Sequence, residues 1–430
     1  MTPRSDERRL TLLAIAALLA LAATVRMPFW LATTHIDGDP LLWQVWSRAI
    51  HQHGFINIFS STDTNYTGYH YVLWPISAVY ARISPDYELG TASLRILLKL
   101  PAFVCDLALA PIIFFAARSL APAIDPRRRT AVAALAAAAF ALAPATVYDS
   151  MWWGQIDSVA TVFMLASVVL LARGRVGAAW AAWMLGFLVK PQPVVILPVL
   201  AAATLWKFGP RELVRGAAVA AGTGLVVLLP FLLHGDGRTI AQIYRDYSEQ
   251  WPLDLSLGAW NGWSILDVRG DPHPSDVLFG FGGAAVTYAR LSLALSGAAT
   301  LAVLAYLRRN LDLAGLLASS AAMVFTFYML PTSTHERYLY PMFALAAPLL
   351  VRAPRLAPVY ALLAAGFFIN LAGVNPPNGG DAWQWQGTWI ELAIASANVA
   401  LYVSMLGLLL WGDVVRGYQL VVPRRSAVAA

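Results

Sequence analysis

Uninterrupted apolar runs long enough to cross a bilayer recur from one end of this chain to the other. A helix rises 1.5 Å per residue, so about 20 apolar residues span the roughly 30 Å of hydrocarbon. No soluble core can hide so many such segments. Charge points the same way: 13% of the 430 residues are charged, against about 25% in a soluble domain. The chain reads as an all-α polytopic membrane protein. An outer-membrane barrel would need short alternating strands, and the sequence lacks that pattern. The net charge of +6 is not a nucleic-acid footprint, because Lys and Arg sit in short clusters between the apolar runs, as cytoplasmic retention of positive charge requires. The single Cys105 lies inside an apolar run, which leaves no disulfide framework and no thiolate metal site.

Placing every basic cluster on the cytoplasmic side sets the topology. Twelve spans result, near 10–33, 92–119, 130–146, 157–173, 176–190, 191–207, 212–234, 282–306, 311–331, 338–352, 356–374 and 388–412, with both termini inside. Residues 10–25 also have the look of a signal peptide, but an uncleaved first span is the favoured reading. Residues 34–90 then form an outside segment with amphipathic helices on or in the membrane surface. It includes YHYVLWPISAVYARI (69–83), because counting that stretch as a span would invert every later cluster. The pair 176–190 and 191–207 is interrupted by KPQP (190–193), whose prolines break the helix beside Lys190. A block of spans fills 91–234, a loop 235–281 returns outside, more spans fill 282–412, and 413–430 is a cytoplasmic tail. The whole is one integral membrane domain.

With this topology the unusual polar residues gather on one face. The outside segments carry THIDGDP (34–40), TDTNYTGYH (62–70), YDSMWWGQID (148–157), KPQP, HGDGR (234–238), SLGAWNGWS (256–264), PTSTHERYLYP (331–341) and NPPNGGDAWQW (375–385), and all seven histidines. Asp37 and Asp39 precede an interfacial stretch carrying Trp43, Trp46 and Ile50 at helical spacing. A carboxylate held there can take a proton from an acceptor hydroxyl; the same pair also suits a solvated turn or a helix cap. In WWGQID, Gln155 donates and accepts, Asp157 is acidic, and Trp153 can stack on a sugar face or anchor at the interface. Tyr66, Tyr69 and His70 in the first outside segment are further sugar-binding candidates.

Lys190 and the triplet His335, Glu336 and Arg337 stand beside spans, where ionisable groups are costly and functional by default. Lys, Arg and His on one face suit a phosphate, Arg as a fork and Lys as a point charge. The alternative is that Glu336 pairs with Arg337 and Lys190 snorkels. The loop 235–281 holds Tyr244, Tyr247, Trp251, Trp260, Asn261 and Trp263, an aromatic density that suits an acceptor wall or lid and equally an interfacial helix. Cations for a lipid phosphate, a carboxylate base and aromatic groups for a sugar are the equipment of glycosyl transfer from a lipid-linked donor.

Asp39 seven residues before Trp46, then a Tyr-containing segment, WGQID, KPQ and HERYLYP, in this order over roughly residues 10–345, resemble the GT-C superfamily of polytopic glycosyltransferases. These use polyprenyl- or dolichyl-phosphate sugars. The likeness is to bacterial mannosyl- or glucosyltransferases and to the endoplasmic-reticulum glucosyltransferases that extend a lipid-linked oligosaccharide, which carry HEK where this chain has HER. The resemblance implies a GT-C fold of about twelve spans. It implies an acidic general base in the first outside loop, matched by Asp39 with Asp37 as fallback. It implies donor-phosphate contacts at Lys190, His335 and Arg337, with Gln155 and Asp157 orienting donor or acceptor. The relatives' second-loop motif contains His where this chain has WGQID, which leaves the role of those two residues open. The expected reaction is inverting transfer of a hexose, mannose before glucose, to a glycolipid or glycan acceptor hydroxyl. Partners would be the polyprenyl-phosphate sugar, that acceptor and membrane lipids, with no nucleic acid. No cofactor is expected; Asp37 with Asp39 is the one place for a divalent metal, and a metal is not favoured. Rival readings are a flippase for lipid-linked sugars, which would place polar residues near the midplane, a non-catalytic subunit of a glycosylation complex, and another reaction of the superfamily. Composition rich in Ala and Arg suits a high-GC prokaryote, hence a plasma membrane with the active face outward.

Overall fold

The structure is a computed structural model that describes residues 3–32, 38–249, 254–267, 272–281, 284–377 and 383–410. The chain opens with α1 (Pro3–Leu31), followed by α2 (Asp39–His53), the short α3 (Ile58–Ser61) and α4 (His70–Ile83). Next come α5 (Ala92–Ser119), α6 (Pro126–Ala141) and α7 (Pro144–Val147), which runs into a π-helical turn at Tyr148–Trp153. Then follow α8 (Asp157–Ala172), α9 (Val176–Val189), α10 (Leu197–Phe208), α11 (Pro210–His234), α12 (Gly237–Glu249) and α13 (Ser264–Asp267). A hairpin of β1 (Val277–Phe281) and β2 (Ala284–Thr287) leads into α14 (Tyr288–Leu307) and α15 (Leu313–Met329). After α16 (Tyr340–Ala346) come α17 (Leu356–Val374) and α18 (Trp389–Leu410).

Each of the twelve expected spans contains a helical segment. Among the described residues, α1, α5, α11, α14, α17 and α18 are long and apolar enough to cross a membrane; α6 with the segment Pro144–Trp153, bent by 50°, makes a seventh. Helices α8, α9, α10 and α15 are apolar but shorter. The segment 336–351 is not one regular helix: α16 lies between 3-10 turns at Glu336–Leu339 and Ala347–Val351, with Pro341 and Pro348 second in their elements, within the first turn, where a missing N–H costs least. The sequence reading lacks the hairpin. Its antiparallel register, Phe279 with Val286 and Gly280 with Ala285, moves the start of the eighth span from 282 to Tyr288.

Helix ends follow local chemistry. Thr91 caps α5 by accepting from Leu94 N–H, Asp125 caps α6 through Arg127 and Arg128 N–H, and Asp312 caps α15 through Gly315 N–H. Helix α9 ends at Val189 and Lys190 is extended, as the residue before a proline prefers. The π turn stops at Gly154, whose φ of +86° is left-handed and costs glycine little.

The two ends of the bundle differ in kind. At one, Glu7 at the start of α1 pairs with Arg118 and, at 2.6 Å, with Arg129; Arg352 meets Asp312 at 3.2 Å. The other end gathers the first polar segment, the π turn, the 190–193 break and the 331–341 segment. The core wraps α15 and α16, whose side chains are almost all buried. Inside the bundle Arg26 of α1 donates from Nε to Asp106 of α5 at 2.8 Å, with both side chains fully buried. Ser150 Oγ donates to the same carboxylate at 2.6 Å, and Tyr340 Oη donates to it as well. This knot ties α1, α5, the π turn and α16.

Candidate active site

Two chain segments 298 residues apart meet at the polar end. Asp39, first residue of α2, accepts from Arg337 Nη2 at 2.7 Å. Arg337 Nη1 donates to Glu336 at 2.6 Å, and His335 Nδ1 lies 3.7 Å from the other Glu336 oxygen. Burial disfavours charge on Arg337, yet Asp39 and Glu336 outweigh it and hold the guanidinium firmly protonated. Burial would likewise raise the Glu336 carboxyl, but Arg337 and His335 hold it down at about 2. Since the folded value is depressed, its stabilisation is complete above the ordinary value of 4.5 and is lost as pH falls from there towards about 2. Melting temperature in detergent should therefore drop between pH 5 and pH 3 in the wild type, with part of that drop missing in Glu336→Gln; identical slopes would refute the link.

Beside this group, Lys190 Nζ donates to Asp157 at 2.6 Å with both side chains buried. Lys190 also sits 5.4 Å from the Tyr338 ring centre, and the Arg337 guanidinium lies 6.0 Å from the Trp153 ring centre. Gln155 is fully buried, and among the described residues neither its amide oxygen nor its amide nitrogen has a partner; the second Asp157 oxygen and the Trp153 indole N–H are likewise unpartnered there. Buried polar atoms without partners are costly, and here they cluster beside Lys190 and Arg337. Asp149, in the π turn, was not picked out in the sequence as a site residue. It is fully buried, both carboxylate oxygens lack a partner among the described residues, and it is in electrostatic contact with Asp157, Lys190 and Arg337. Its one sequence signal was its place in YDSMWWGQID.

The structure thus brings Asp39, Lys190, His335, Glu336, Arg337, Gln155, Asp157 and Trp153 together. It also shows that neither Lys190 nor Arg337 is a free cation: each meets carboxylate. Asp37 lies outside the described residues, as does Trp251. Tyr66 packs on Trp43 and faces Arg337 electrostatically. Tyr69 and His70 sit deeper, in an aromatic cluster with Trp43, Trp46 and Phe59. His70 Nε2 pairs with Thr64 Oγ1 at 2.8 Å, and burial pushes the ring down to about 3, so it is neutral. Trp260 and Asn261 are committed to the scaffold. Asn261 Nδ2 donates to Tyr328 O at 3.0 Å while its oxygen accepts from Trp263 and Ser264 N–H; Trp260 O accepts from Asn398. Their loop nevertheless supports the site. Leu257 and Ala259 N–H both donate to Thr334 O, and Gly258 (φ +87°) lies so close that a Cβ would sit 2.5 Å from Trp383 and 2.9 Å from Glu336 Oε2.

Two larger cavities are formed by neighbouring elements. A polar cleft of about 640 Å³ lies between residues 59–65 and α12. An apolar groove of about 610 Å³ runs between α4, α5, α8, α9 and α11, with Tyr71, Val104, Val159, Leu188 and Val189 on its walls. Among the described residues no group of three His, Cys, Asp or Glu is placed to hold a metal ion.

Among solved structures, ArnT from Cupriavidus metallidurans in the apo state is 15% identical, with a TM-score of 0.49 over 93% of this chain and 77% of that one. The same enzyme bound to undecaprenyl phosphate is 16% identical, with a TM-score of 0.46 over 94% and 77%. An Archaeoglobus fulgidus oligosaccharyltransferase is 11% identical, with a TM-score of 0.40 over 93% and 55%. No curated protein matches by sequence. The model of glycosyltransferase family 87 matches residues 91–331, from the cap of α5 to the end of α15 and more than half of the chain. This polytopic helical membrane protein is therefore a glycosyltransferase and belongs to family 87.

Proposed function

We propose that this enzyme moves a hexose, mannose in preference to glucose, from a polyprenyl-phosphate donor to an acceptor hydroxyl, with inversion, at the outer face of a plasma membrane. The observation that carries the lipid-borne donor is the apolar groove. Its lining is almost wholly apolar side chains of α4, α5, α8, α9 and α11, and its walls reach Val159 and Val189, two residues and one residue from Asp157 and Lys190. A prenyl chain lying there has its head beside the polar centre. Asp39 is the base. It sits on the first turn of α2, and Arg337 fixes its carboxylate through one oxygen, leaving the other to receive a proton.

In the reaction, the acceptor O–H gives its proton to Asp39 while its oxygen bonds to the anomeric carbon. The bond from that carbon to the phosphate oxygen breaks on the opposite side, and the lipid phosphate leaves with the electron pair. Lys190 Nζ, the Gln155 amide and the Trp153 indole N–H are the nearest donors for the departing oxygens and the sugar. His335 stands at the mouth, about a third exposed. Because the leaving group is already an anion, no strong acid is needed, and transfer is expected to survive EDTA.

The test is direct. Purified enzyme is given radiolabelled polyprenyl-phosphate mannose or glucose with membrane lipid extract, with and without EDTA. Label reaching a lipid or glycan from one donor is the expected result. Intact donor binding without transfer from either would overturn the reading in favour of a carrier or a non-catalytic subunit.

A further inference from the structure

The lipid groove and the charged centre leave a large polar cavity unused. The cleft of about 640 Å³ between residues 59–65 and α12 has the size of a small-molecule site, roughly 300–1,000 Å³. One wall is residues 62–65, from the stretch TDTNYTGYH. The other is α12, where Arg238, Gln242 and Asp246 fall four residues apart and share a face. Both walls are pinned from behind. Trp46 of α2 donates its indole N–H to Asp63 O at 2.7 Å, and the Thr64 hydroxyl is held by His70. On the opposite side of α12, Ile240 and Tyr244 pack into the aromatic cluster of the first polar segment. Tyr244 also stacks on Phe187 with ring centres 5.7 Å apart, and its hydroxyl meets Thr67 Oγ1 at 2.8 Å. The scaffold thus fixes both walls, while the side chains of Asp63, Asn65, Arg238 and Gln242 stay exposed.

We infer that this cleft is the subsite for the acceptor's glycan and takes sugar rings beyond the one that receives the new bond. This rests on the proposed transfer to an acceptor hydroxyl. The chemistry is that of a neutral carbohydrate, whose hydroxyls both donate and accept and whose rings each have an apolar face. Asp63 and Asp246 accept, Arg238 donates, Asn65 and Gln242 do both, and Phe59 and Ile243 add apolar surface. Gln242 Nε2 donates to Asp246 Oδ1 at 2.5 Å, which orients both side chains. Carboxylates on both walls disfavour a phosphate and leave a hydroxyl-rich ligand as the match. The distance from the base suits more than one ring. Trp46 is seven residues from Asp39 on α2, so the Asp63 wall stands about 10 Å along that helix from Asp39. Between them Tyr66 packs on Trp43 and Trp46 and faces Arg337 electrostatically, so one short segment runs from the cleft to the charged centre. An acceptor with one hydroxyl at Asp39 reaches the cleft through its further rings. The acceptor class is an oligosaccharide, free or lipid-borne, rather than a lone sugar or a bare lipid alcohol.

Full-length protein in neutral detergent is tested in two ways. Binding of mannotriose and maltotriose is measured by thermophoresis, and transfer from polyprenyl-phosphate mannose or glucose is measured with either trisaccharide or membrane lipid extract as acceptor. Asp63→Ala and Gln242→Ala should each weaken trisaccharide binding and raise the acceptor KM about fivefold. The double variant should be weaker still, with donor KM, kcat and melting temperature unchanged. Label on a free trisaccharide, lost in the double variant, would support a soluble glycan as the ligand; label on lipid alone, with the same shift in KM, would support a glycolipid. Wild-type trisaccharide affinity and acceptor KM in the double variant would overturn the subsite. A rise in donor KM instead would give the cleft to the donor sugar and overturn its assignment to the acceptor. If the wild type binds a trisaccharide through Asp63 and Gln242 yet transfers from neither donor, the cleft stands and the transfer reading falls. If the double variant transfers with an unchanged acceptor KM, the transfer reading stands and the cleft falls.

Discussion

Asp39→Asn is expected to reduce transfer by about 10²–10⁴-fold, the range a positioned general base contributes. The asparagine oxygen can still accept from Arg337, so the contact that joins α2 to the 331–341 segment across 2.7 Å is kept while basicity is lost. Acceptor and donor affinities and melting temperature should stay near wild type, and only kcat should fall. A folded Asp39→Asn enzyme with full activity would eliminate Asp39 as the base. An equal loss in donor affinity would instead make it a binding residue.

The second large effect concerns stability. Asp106→Ala removes the carboxylate that receives Arg26, Ser150 and Tyr340, and it strands Arg26, fully buried in the bundle. Breaking one side of a buried pair costs about 3–5 kcal/mol. The double variant Arg26→Leu, Asp106→Leu removes both charges and should recover much of that loss, since apolar replacements of buried pairs are often neutral. The readout is melting temperature and monodispersity in detergent. A single variant as stable as wild type would show that Arg26 finds another partner, Ala141 O being the one it already reaches.

These two sites differ in how legible they were. Asp39, Lys190 and the 335–337 triplet stood out because charge beside apolar runs is rare, and topology alone put them on one face. Arg26 and Asp106 are equally anomalous in sequence, each inside a span, yet nothing in one dimension says that they meet, 80 residues apart. Trp260 and Asn261 resemble sugar-binding residues in sequence, but the fold spends their hydrogen bonds on Tyr328, Asn398 and their own loop.

The sequence by itself determined that the chain is a helical membrane protein, roughly where its long apolar helices lie, and which segments carry its unusual polar residues. Those properties follow from hydropathy and charge, which each residue carries wherever it is placed. The tertiary structure decided the pairing: Arg337 on Asp39 and Glu336, Lys190 on Asp157, and the carboxylate of the fully buried Asp149 left without a hydrogen-bond partner among the described residues. Charge is additive along a chain, but the field at a site depends on distance through a low-dielectric interior, and distance exists only once the helices have packed.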